Sequence, residues 1–390
     1  MSQPHTPFGM TSLSVAFGSV LRTNDYWRRR YPAVVAQAEE NNLAKLWGRA
    51  RPVEAPTVYE RTMAPFLNDP FRGTRERRWR APGETSCSME VAAARGALSA
   101  RSLGVDDIDL ALVTSFPPDT FGVGNAAYFA AELGLRAPAW NYETACSGSI
   151  VGLHMAESLL RSGDYRRILV AASTSNSVTT EDHNSLGWFV GDGAGAFVVE
   201  QVGEGQGVLG WKVVNSTGTN NMFIIDSIPD GRGGTRLLTR ATEAANTMAR
   251  QTSEPYLREC VDGALSQAGL GIGDVDFWVF NTPSAWYADF CAALLGVEEG
   301  RYHSVYPRYA NIGAALMPAT LYHAIDEGKV RPGQVVALYS IGSTSTAAAL
   351  VMRVGEIALG PYPHRPDVAD APTWCEMQCE GKISSTSGEE

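Results

Sequence analysis

Residues 142–152 read YETACSGSIVG, with Cys146 at the centre, and the next stretch, GLHMAESLLRSG (152–163), has the apolar spacing of a buried helix. Cys146 therefore falls at or just before the first helical turn. There the unpaired backbone N–H groups and the positive end of the helix dipole favour a thiolate. The small residues at 147–149 predict room for a substrate. Taken alone, the segment fits a catalytic nucleophile and a small buried cysteine equally well.

The chain has 390 residues, more than one hydrophobic core usually holds, so two domains or a duplicated fold are expected. Its composition, 44% hydrophobic and 19% charged, is that of an ordinary globular protein. A net charge of -10 argues against a general nucleic-acid binder. No apolar run is long enough to cross a bilayer, and the N-terminus lacks the pattern of a signal peptide. We therefore expect a cytoplasmic protein.

The six cysteines are scattered and show no metal-ligand pairing, which fits a reducing compartment. Cys375 and Cys379 lie in the polar C-terminal tail, where their spacing is only weak evidence for a metal clip. We therefore expect no metal site.

Apolar periodicity predicts alternating strands and helices along the first half of the chain. RRILVAAS (166–173) is apolar enough to be a strand covered on both faces. The other predicted elements are a strand at 12–21, helices at 33–47, 85–103 and about 124–134, a strand at 107–119, and a glycine-rich turn with its strand at 187–200.

A dense basic segment, RGTRERRWR (72–80), stands out in this acidic chain. Such a cluster usually forms a solvated loop, and this is the favoured interpretation. The alternative is a docking site for an anionic partner, such as a coenzyme phosphate or an acidic carrier protein.

The second half of the chain repeats the first. ALSARSLGVDDID (97–109) matches ALSQAGLGIGDVD (264–276) at an offset of 167 residues, with seven of thirteen positions identical. The same offset places RRILVAAS on GQVVALYS (333–340). Two segments matching at one offset predict a duplicated α/β unit, with two mixed sheets and buried helices between them.

The duplication also predicts where a site lies. The offset carries the start of the Cys146 helix close to NIGAALMPAT (311–320), and the loop after LALVT onto VFNTP (279–283). Equivalent strand ends and helix starts can converge on one crevice in a two-fold duplicated fold. Cys146, Asn281 and Asn311 are therefore candidates for a shared site.

These segments resemble the thiolase superfamily, and specifically the ketoacyl-acyl-carrier-protein synthase III proteins, from about residue 11 to about residue 355. The segments that carry the resemblance are GTRERR, YETACSGSIVGL, FVGDGAGAFVVE and YANIGAALMPATLYHAIDEGKVRPGQVVALYSIG. The resemblance implies a duplicated α/β fold with the five-layered αβαβα thiolase architecture, usually as a homodimer. Its two halves would span 1–200 and 201–358, followed by a polar tail at 359–390.

The resemblance also implies roles for single residues. Cys146 matches the cysteine that accepts an acyl group from a thioester, a transfer that needs no cofactor. Asn311 matches the asparagine that helps to hold the thioester carbonyl. The backbone N–H groups of Cys146 and Ser343 match the oxyanion-hole pair. Gly342 keeps only the first of the glycines usual in this loop.

The main departure from the family is at position 281. Asn281 stands where the family has its catalytic histidine, which acts with asparagine to polarise a malonyl thioester for loss of carbon dioxide. Asparagine can donate a hydrogen bond but cannot exchange protons near neutral pH. Decarboxylative condensation is thus weakened, while acylation of Cys146 is not. His183, His303 and Glu143 are the candidates for a substitute base, although a structural role is favoured for each.

A second departure concerns the acyl donor. Leu67 and Phe71 occupy the positions where coenzyme A-using relatives have a tryptophan and an arginine that clamp adenine. This favours a thioester on an acyl carrier protein over acyl coenzyme A, and the neighbouring arginines would suit an acidic carrier.

Three functions remain open. The first, which we favour, is an acyltransferase that loads Cys146 and passes the acyl group to a small-molecule hydroxyl or amine, or to a carrier, in specialised metabolism of the polyketide or fatty-acid type. The second is a decarboxylating ketosynthase with Asn281 as an oxyanion donor only. The third is a non-catalytic subunit of a ketosynthase heterodimer, which the presence of Cys146 argues against.

Overall fold

A computed structural model describes residues 6–47, 57–181, 184–230, 233–281, 283–343 and 345–367, of which 41–47 are described by their backbone alone. His183, Cys375 and Cys379 lie outside these ranges. The helices are α1 (Asn24–Arg30), α2 (Pro32–Trp47), α3 (Val58–Met63), α4 (Ser86–Ala100), α5 (Ala126–Leu133), α6 (Gly148–Ser162), α7 (Ala245–Ala268), α8 (Tyr287–Leu295), α9 (Tyr306–Tyr309) and α10 (Leu316–Asp326). The strands are β1 (Phe8–Phe17), β2 (Val20–Thr23), β3 (Glu76–Trp79), β4 (Leu110–Phe116), β5 (Ala139–Asn141), β6 (Arg167–Ser175), β7 (Asp192–Gln201), β8 (Gly207–Asn215), β9 (Phe223–Pro229), β10 (Thr235–Ala241), β11 (Phe277–Phe280), β12 (Val335–Ile341), β13 (Thr346–Arg353) and β14 (Ala358–Leu359).

The predicted elements of the first half are present, with shifted ends. The strand expected at 12–21 is divided into β1 and β2 at Gly18. A Cβ atom at Gly18 would lie 2.3 Å from the backbone oxygen of Trp79, so the close approach of β3 fixes the turn there.

Two mixed sheets share one strand order, which confirms the duplication. The larger sheet runs β14-β1-β7-β6-β4-β5, and the smaller runs β11-β12-β13-β8. Strands β4 and β11 begin at residues 110 and 277, which reproduces the offset of 167. In each half, one pair is parallel (β4 with β6, β11 with β12) and the next two pairs across the sheet are antiparallel (β6–β7 and β7–β1, β12–β13 and β13–β8). Strands β5 and β14 add parallel partners at the two edges of the larger sheet.

The helices and sheets stack in five αβαβα layers, as the resemblance implies. Helices α4 and α5 pack on the outer face of the larger sheet, and α7 and α8 cover the outer face of the smaller one. Helices α6 and α10 are enclosed between the two sheets. Residues Leu316–Ala324 of α10 are all buried, because this helix has a sheet on either side.

Strand β6 shows why a continuous apolar run forms here. Val170 faces the central layer and contributes to its core. Its neighbours Leu169 and Ala171 point to the outer core under α4. Because both faces are covered, the strand needs apolar residues at nearly every position, and the two-sided burial predicted for it is confirmed.

The last short strand belongs to the first sheet rather than the second. Ala358 and Leu359 of β14 pair in parallel with Ser12 and Leu13 of β1. The backbone N–H of Gly360 extends this contact by donating to the carbonyl of Leu13 at 2.9 Å. The end of the chain thus completes the edge of the sheet in which the chain begins.

The prediction that the basic segment forms a solvated loop is wrong for three of its arginines. Arg77 is fully buried in β3, where its guanidinium donates to the carbonyl of Trp188 at 2.6 Å and to Asn24 Oδ1 at 2.9 Å. It also stacks on Trp27 at 4.4 Å. Burial lowers the pKa of Arg77 to about 9. Such a buried side chain links β3 to neighbouring elements and is not available to bind an anionic partner.

Arg78 and Arg80 have similar structural roles. Arg78 donates to the carbonyls of Gly18 at 2.7 Å and His364 at 3.0 Å. Arg80 pairs with Asp119 at 2.9 Å and is 5% exposed. Of the five arginines in the segment, only Arg75 is exposed. The alternative interpretation, a docking site formed by the whole segment, is therefore also wrong for these buried members.

No helix in the described part of the chain combines the length and apolar character needed to cross a membrane.

Candidate active site

Cys146 lies in a single 3-10 turn, Ala145–Ser147, that leads directly into α6. Cys146 is half-buried, and its thiol is not part of a disulfide. The turn requires a positive φ of 51° at Ala145, a left-handed conformation that non-glycine residues rarely adopt. This strained residue immediately precedes the cysteine and sets its orientation.

The small residues after Cys146 serve packing, so the prediction that they leave space for a substrate is wrong. Ser147, Gly148 and Ser149 are buried. A Cβ atom on Gly148 would lie 2.8 Å from the methyl group of Thr114. The Ser149 hydroxyl donates to the carbonyl of Ala314, in the second half of the molecule. The two halves therefore meet at the start of α6.

The second half presents an equivalent turn, Gly313–Ala315, at the start of α10. Gly313 has a φ of 49°, close to that of Ala145, but a Cβ atom here would lie 2.4 Å from Thr174 Oγ1. Asn311, two residues earlier, accepts a hydrogen bond on Oδ1 from the Gly313 N–H at 2.9 Å. The Asn311 side chain thus shapes this turn, and its backbone pairs with Phe189 and Gly191.

Asn281 follows β11 and contacts the backbone of Cys146. Its Nδ2 lies 3.1 Å from the carbonyl oxygen of Cys146 and 2.7 Å from Ser340 Oγ. The Ser340 hydroxyl in turn donates to the same Cys146 carbonyl at 2.9 Å. Asn281 is 1% exposed. The structure thus brings together two of the predicted residues, Cys146 and Asn281, through a serine that the sequence analysis missed.

Ser340 could have been found from the repeat. It is the last residue of GQVVALYS and falls on Ser173 at the offset of 167. The first-half serine, however, points to the outer side and donates to Glu90. Equivalent positions in the two halves therefore have different partners, which the sequence does not reveal.

The loop that carries Ser343 packs against the cysteine turn. A Cβ atom at Gly342 would lie 2.4 Å from the carbonyl oxygen of Thr144, two residues before Cys146. The Ser343 hydroxyl donates to Met222 Sδ at 3.6 Å, and Ser216 Oγ anchors the loop by donating to the Gly342 carbonyl at 2.7 Å. Gly342 is needed here because the loop must approach backbone atoms.

The environment of Cys146 opposes a thiolate, contrary to the expectation from its place before a helix. Burial, together with the Glu143 carboxylate, raises the pKa of the Cys146 thiol to about 11. Hydrogen bonds from the Cys146 backbone and the Asn281 side chain lower this pKa, but by less than burial raises it. Cys146 is therefore a protonated thiol near neutral pH.

The described candidates for a substitute base do not reach the thiol. Glu143 accepts a hydrogen bond from the Ala145 N–H at 2.5 Å. Desolvation by the surrounding protein raises the pKa of its carboxyl group, although the residue is exposed. His303 contacts Lys329 at 3.1 Å and Glu327 at 3.8 Å, beyond the far end of α10. His183 lies outside the described residues.

The five layers, the duplicated sheets and a cysteine at the start of a buried helix define a thiolase-fold enzyme of the acyl-transferring ketosynthase kind. Residues 141–217 match the family model of 3-oxoacyl-[acyl-carrier-protein] synthase III, and residues 265–354 match the model of its C-terminal domain. β-Ketoacyl-[acyl-carrier-protein] synthase III of Trichormus variabilis is 30% identical over 298 residues, which cover 73% of this chain and 88% of the relative. The chain belongs to the β-ketoacyl-[acyl-carrier-protein] synthase III family.

Solved structures share the fold at lower identity. The 3-oxoacyl-(acyl carrier protein) synthase III of Pseudomonas aeruginosa aligns with a TM-score of 0.72 at 19% identity, over 90% of this chain and 98% of that one. The priming β-ketosynthase of the R1128 polyketide pathway aligns at 0.70 and 22%, over 91% and 98%. OleA of Xanthomonas campestris, with bound lauric acid and lauroyl-CoA, aligns at 0.70 and 16%, over 90% and 100%.

Proposed function

We propose that this protein is an acyltransferase that takes an acyl group from a carrier-protein or coenzyme A thioester onto Cys146 and passes it to an acceptor without decarboxylation. The acceptor is a small-molecule hydroxyl or amine, or a second carrier, in specialised metabolism of the polyketide or fatty-acid type. The observation that carries the proposal is Asn281, which stands at the position of the family histidine and holds the Cys146 carbonyl with its amide nitrogen at 3.1 Å.

Loading requires only groups of the chain and the donor thioester. The Cys146 sulfur attacks the thioester carbonyl carbon, and the C–S bond to the donor breaks. The proton of the Cys146 thiol ends on the sulfur of the departing carrier or coenzyme A thiol. The backbone N–H groups of Cys146 and Ser343 would stabilise the oxyanion between these steps. No metal or cofactor takes part in this proposal.

Decarboxylation requires a hydrogen-bond donor for the malonyl carbonyl, and Asn281 is poorly suited to supply it. A malonyl thioester loses carbon dioxide readily when its carbonyl is polarised by a strong hydrogen-bond donor. Here the amide nitrogen of Asn281 faces the Cys146 carbonyl and Ser340 Oγ, so its donors are already engaged. Asn281 also cannot shuttle a proton at neutral pH.

A second candidate function is decarboxylative condensation. It is favoured by the relatives, since proteins at 28% to 30% identity are β-ketoacyl-[acyl-carrier-protein] synthases III. In that case Asn281 would donate a hydrogen bond to an oxyanion without transferring a proton to it.

The proposed assembly is a homodimer in the cytoplasm, built around the free edge of the larger sheet. β5 ends this sheet, and Trp140 on it is 42% exposed. Phe121, Val123 and Tyr128, close by in sequence and structure, are 51% to 65% exposed. The Asn141 side chain links this strand to the loop by donating to the Val123 carbonyl at 2.7 Å. Exposed apolar residues at a sheet edge are suited to pairing with a second copy.

The test is intact-protein mass spectrometry after incubation with acetyl, longer acyl and malonyl thioesters, each on coenzyme A and on a carrier protein. An adduct that persists with malonyl thioester but leaves when an amine or alcohol is added supports acyl transfer. Discharge by malonyl carrier with release of carbon dioxide supports condensation instead. No adduct with any donor would favour a non-catalytic subunit.

Matched variants assign the adduct. Cys146→Ala is expected to abolish loading, whereas Cys87→Ala, Cys260→Ala and Cys291→Ala retain it, since these three cysteines are buried in the outer layers. Asn281→His is expected to increase malonyl decarboxylation because it restores a stronger donor. Fast release of carbon dioxide by the wild type would contradict the proposed role of position 281.

A further inference from the structure

An exposed carboxylate lies beside the turn that carries the nucleophile. Glu143, three residues before Cys146, is exposed to solvent. Its Oε1 accepts a hydrogen bond from the Ala145 N–H at 2.5 Å. Because Ala145 is bonded directly to Cys146, covalent geometry places this oxygen within about 6 Å of the Cys146 nitrogen. The charge of Glu143 is therefore held next to the residue that would carry the acyl group.

The carboxylate is also held from a second side, by Thr114. The Thr114 hydroxyl donates to Glu143 Oε2 at 3.4 Å, and Thr114 itself is 1% exposed. Its methyl group lies against the start of α6, where a Cβ atom on Gly148 would be 2.8 Å away. An N–H and a hydroxyl are neutral groups, so these two contacts orient the carboxylate without cancelling its charge.

A charge at this place acts on the acyl group while Cys146 is being loaded. With the Cys146 N–H as an oxyanion donor, the acyl carbonyl oxygen lies about 3 Å from the Cys146 nitrogen. The Glu143 carboxylate is then within about 9 Å of that carbonyl. Two charges at such a separation still interact appreciably near a protein surface. An acyl chain that ends in a carboxylate is repelled, whereas one that ends in an ammonium group is attracted.

We propose that Glu143 selects acyl groups by charge, favouring a cationic chain end over a neutral one and a neutral end over a second carboxylate. This inference rests on the proposed acyltransferase function and names the charge class of its acyl substrate. Succinyl and malonyl groups belong to the disfavoured class, and β-alanyl belongs to the favoured one. Glu143 is then a specificity-determining residue that acts through its charge and takes up no proton.

The charge of Glu143 also opposes the oxyanion that forms on every acyl group. This effect is common to all donors, because the oxyanion always forms at the same carbonyl. It therefore cancels in a ratio of loading rates, and only the difference in charge between two acyl chains remains.

The test compares loading of Cys146 by two pairs of acyl groups of similar size: succinyl with 4-oxopentanoyl, and β-alanyl with butanoyl. Both members of a pair are offered on the same carrier, coenzyme A or an acyl carrier protein, so the charge of the carrier cancels. Initial rates are measured by intact-protein mass spectrometry at pH 8 and low ionic strength. Exchange of the same thioesters with 2-mercaptoethanol in solution provides the reference for their intrinsic reactivity.

The wild type is expected to show both preferences. Relative to the solution reference, it should load 4-oxopentanoyl roughly 5-fold faster than succinyl, and β-alanyl roughly 5-fold faster than butanoyl. Raising the salt concentration from about 20 mM to about 500 mM should bring both ratios close to the reference, because salt screens charges in contact with solvent. A purely structural role of Glu143 in the turn would produce neither effect.

Three variants locate the selection. Glu143→Gln keeps an oxygen that can accept from the Ala145 N–H but removes the charge, so both ratios should fall to the solution value. Glu143→Lys should reverse both preferences. Glu204→Gln is the matched control, since it removes one negative charge from an exposed turn between β7 and β8 and should leave both ratios unchanged. Loading with butanoyl provides the check that each variant is folded.

The outcomes separate the two levels of the proposal. If wild-type Cys146 accepts none of the four acyl groups from either carrier, the acyltransferase function is refuted and the selection by charge falls with it. If Cys146 is loaded but both ratios follow the solution reference, the selection alone is wrong. Preferences that persist in Glu143→Gln would overturn the role of Glu143. Should that variant fail to load, wild-type preferences that do not respond to salt would overturn it instead.

Discussion

The ionisation of Cys146 can be tested directly by its reaction with iodoacetamide, which requires the thiolate. With a pKa of about 11, only about one molecule in 10,000 carries the thiolate at pH 7. This fraction rises to about one in 100 at pH 9, so the alkylation rate should increase about 100-fold over that interval. A plot of the logarithm of the rate against pH is then a straight line of slope one.

The rate is measured at the peptide that contains Cys146 by quenched alkylation and mass spectrometry between pH 7 and 9.5. Burial also raises the pKa values of Cys87 and Cys260, each to about 12, so their peptides should react later and serve as internal references. The Glu143 carboxylate raises the Cys146 pKa. Glu143→Gln should therefore shift the line to lower pH without changing its slope.

A plateau below pH 9 would refute the conclusion that Cys146 is a protonated thiol near neutral pH. It would mean that another group holds the thiolate at neutral pH, and that the helix-start argument from the sequence outweighs burial. Unchanged kinetics in Glu143→Gln would refute the electrostatic contribution of that carboxylate alone.

Three further predictions concern the backbone and a buried acid. Ala310 has φ 58° and ψ -157°, so Ala310→Gly should raise the free energy of unfolding by about 1 kcal/mol in urea titrations, whereas Ala315→Gly should lower it. Gly342→Ala would place Cβ 2.4 Å from the Thr144 carbonyl and should slow acyl loading about 100-fold by mass spectrometry, while Gly273→Ala, with open space around it, should not. Burial raises the pKa of Glu90 from 4.5 to about 7, so the proton it retains stabilises the fold below pH 4.5 and this contribution is lost as the pH rises through 7. From pH 5 to pH 8 the wild type should therefore lose about 2.5 kcal/mol more stability than Glu90→Gln, measured by urea unfolding at both pH values.

The repeat made the architecture predictable from sequence. Segments 97–109 and 264–276 carry the same local signals, and each precedes a buried strand that starts at an equivalent position, residue 110 or 277. Strands such as β6 need apolar residues on both faces, so a continuous apolar run in the sequence predicts that both faces are buried. The place of Asn281 beside Cys146 followed from the same offset, because equivalent strand ends meet at the contact between the halves.

Burial of charge was not predictable in this way. Arg77 and Arg78 are buried because carbonyl groups distant in sequence, at Trp188 and His364, accept their N–H groups. The sequence shows the donors but not the acceptors. The prediction that Cys146 is an acidic thiol was wrong for a related reason. A helix start lowers a thiol pKa, but two sheets that exclude water raise it by more, and enclosure is a property of the assembled layers.

The pairing of β14 with β1 has a consequence for how the chain folds during synthesis. β1 is a ten-residue strand rich in apolar side chains, and one of its edges is covered by Ala358 and Leu359. Until those residues leave the ribosome, this edge stays open to any other extended chain. During synthesis β1 therefore has an edge open to wrong pairing until residues 358 and 359 are made, and the pairing of β14 then closes it.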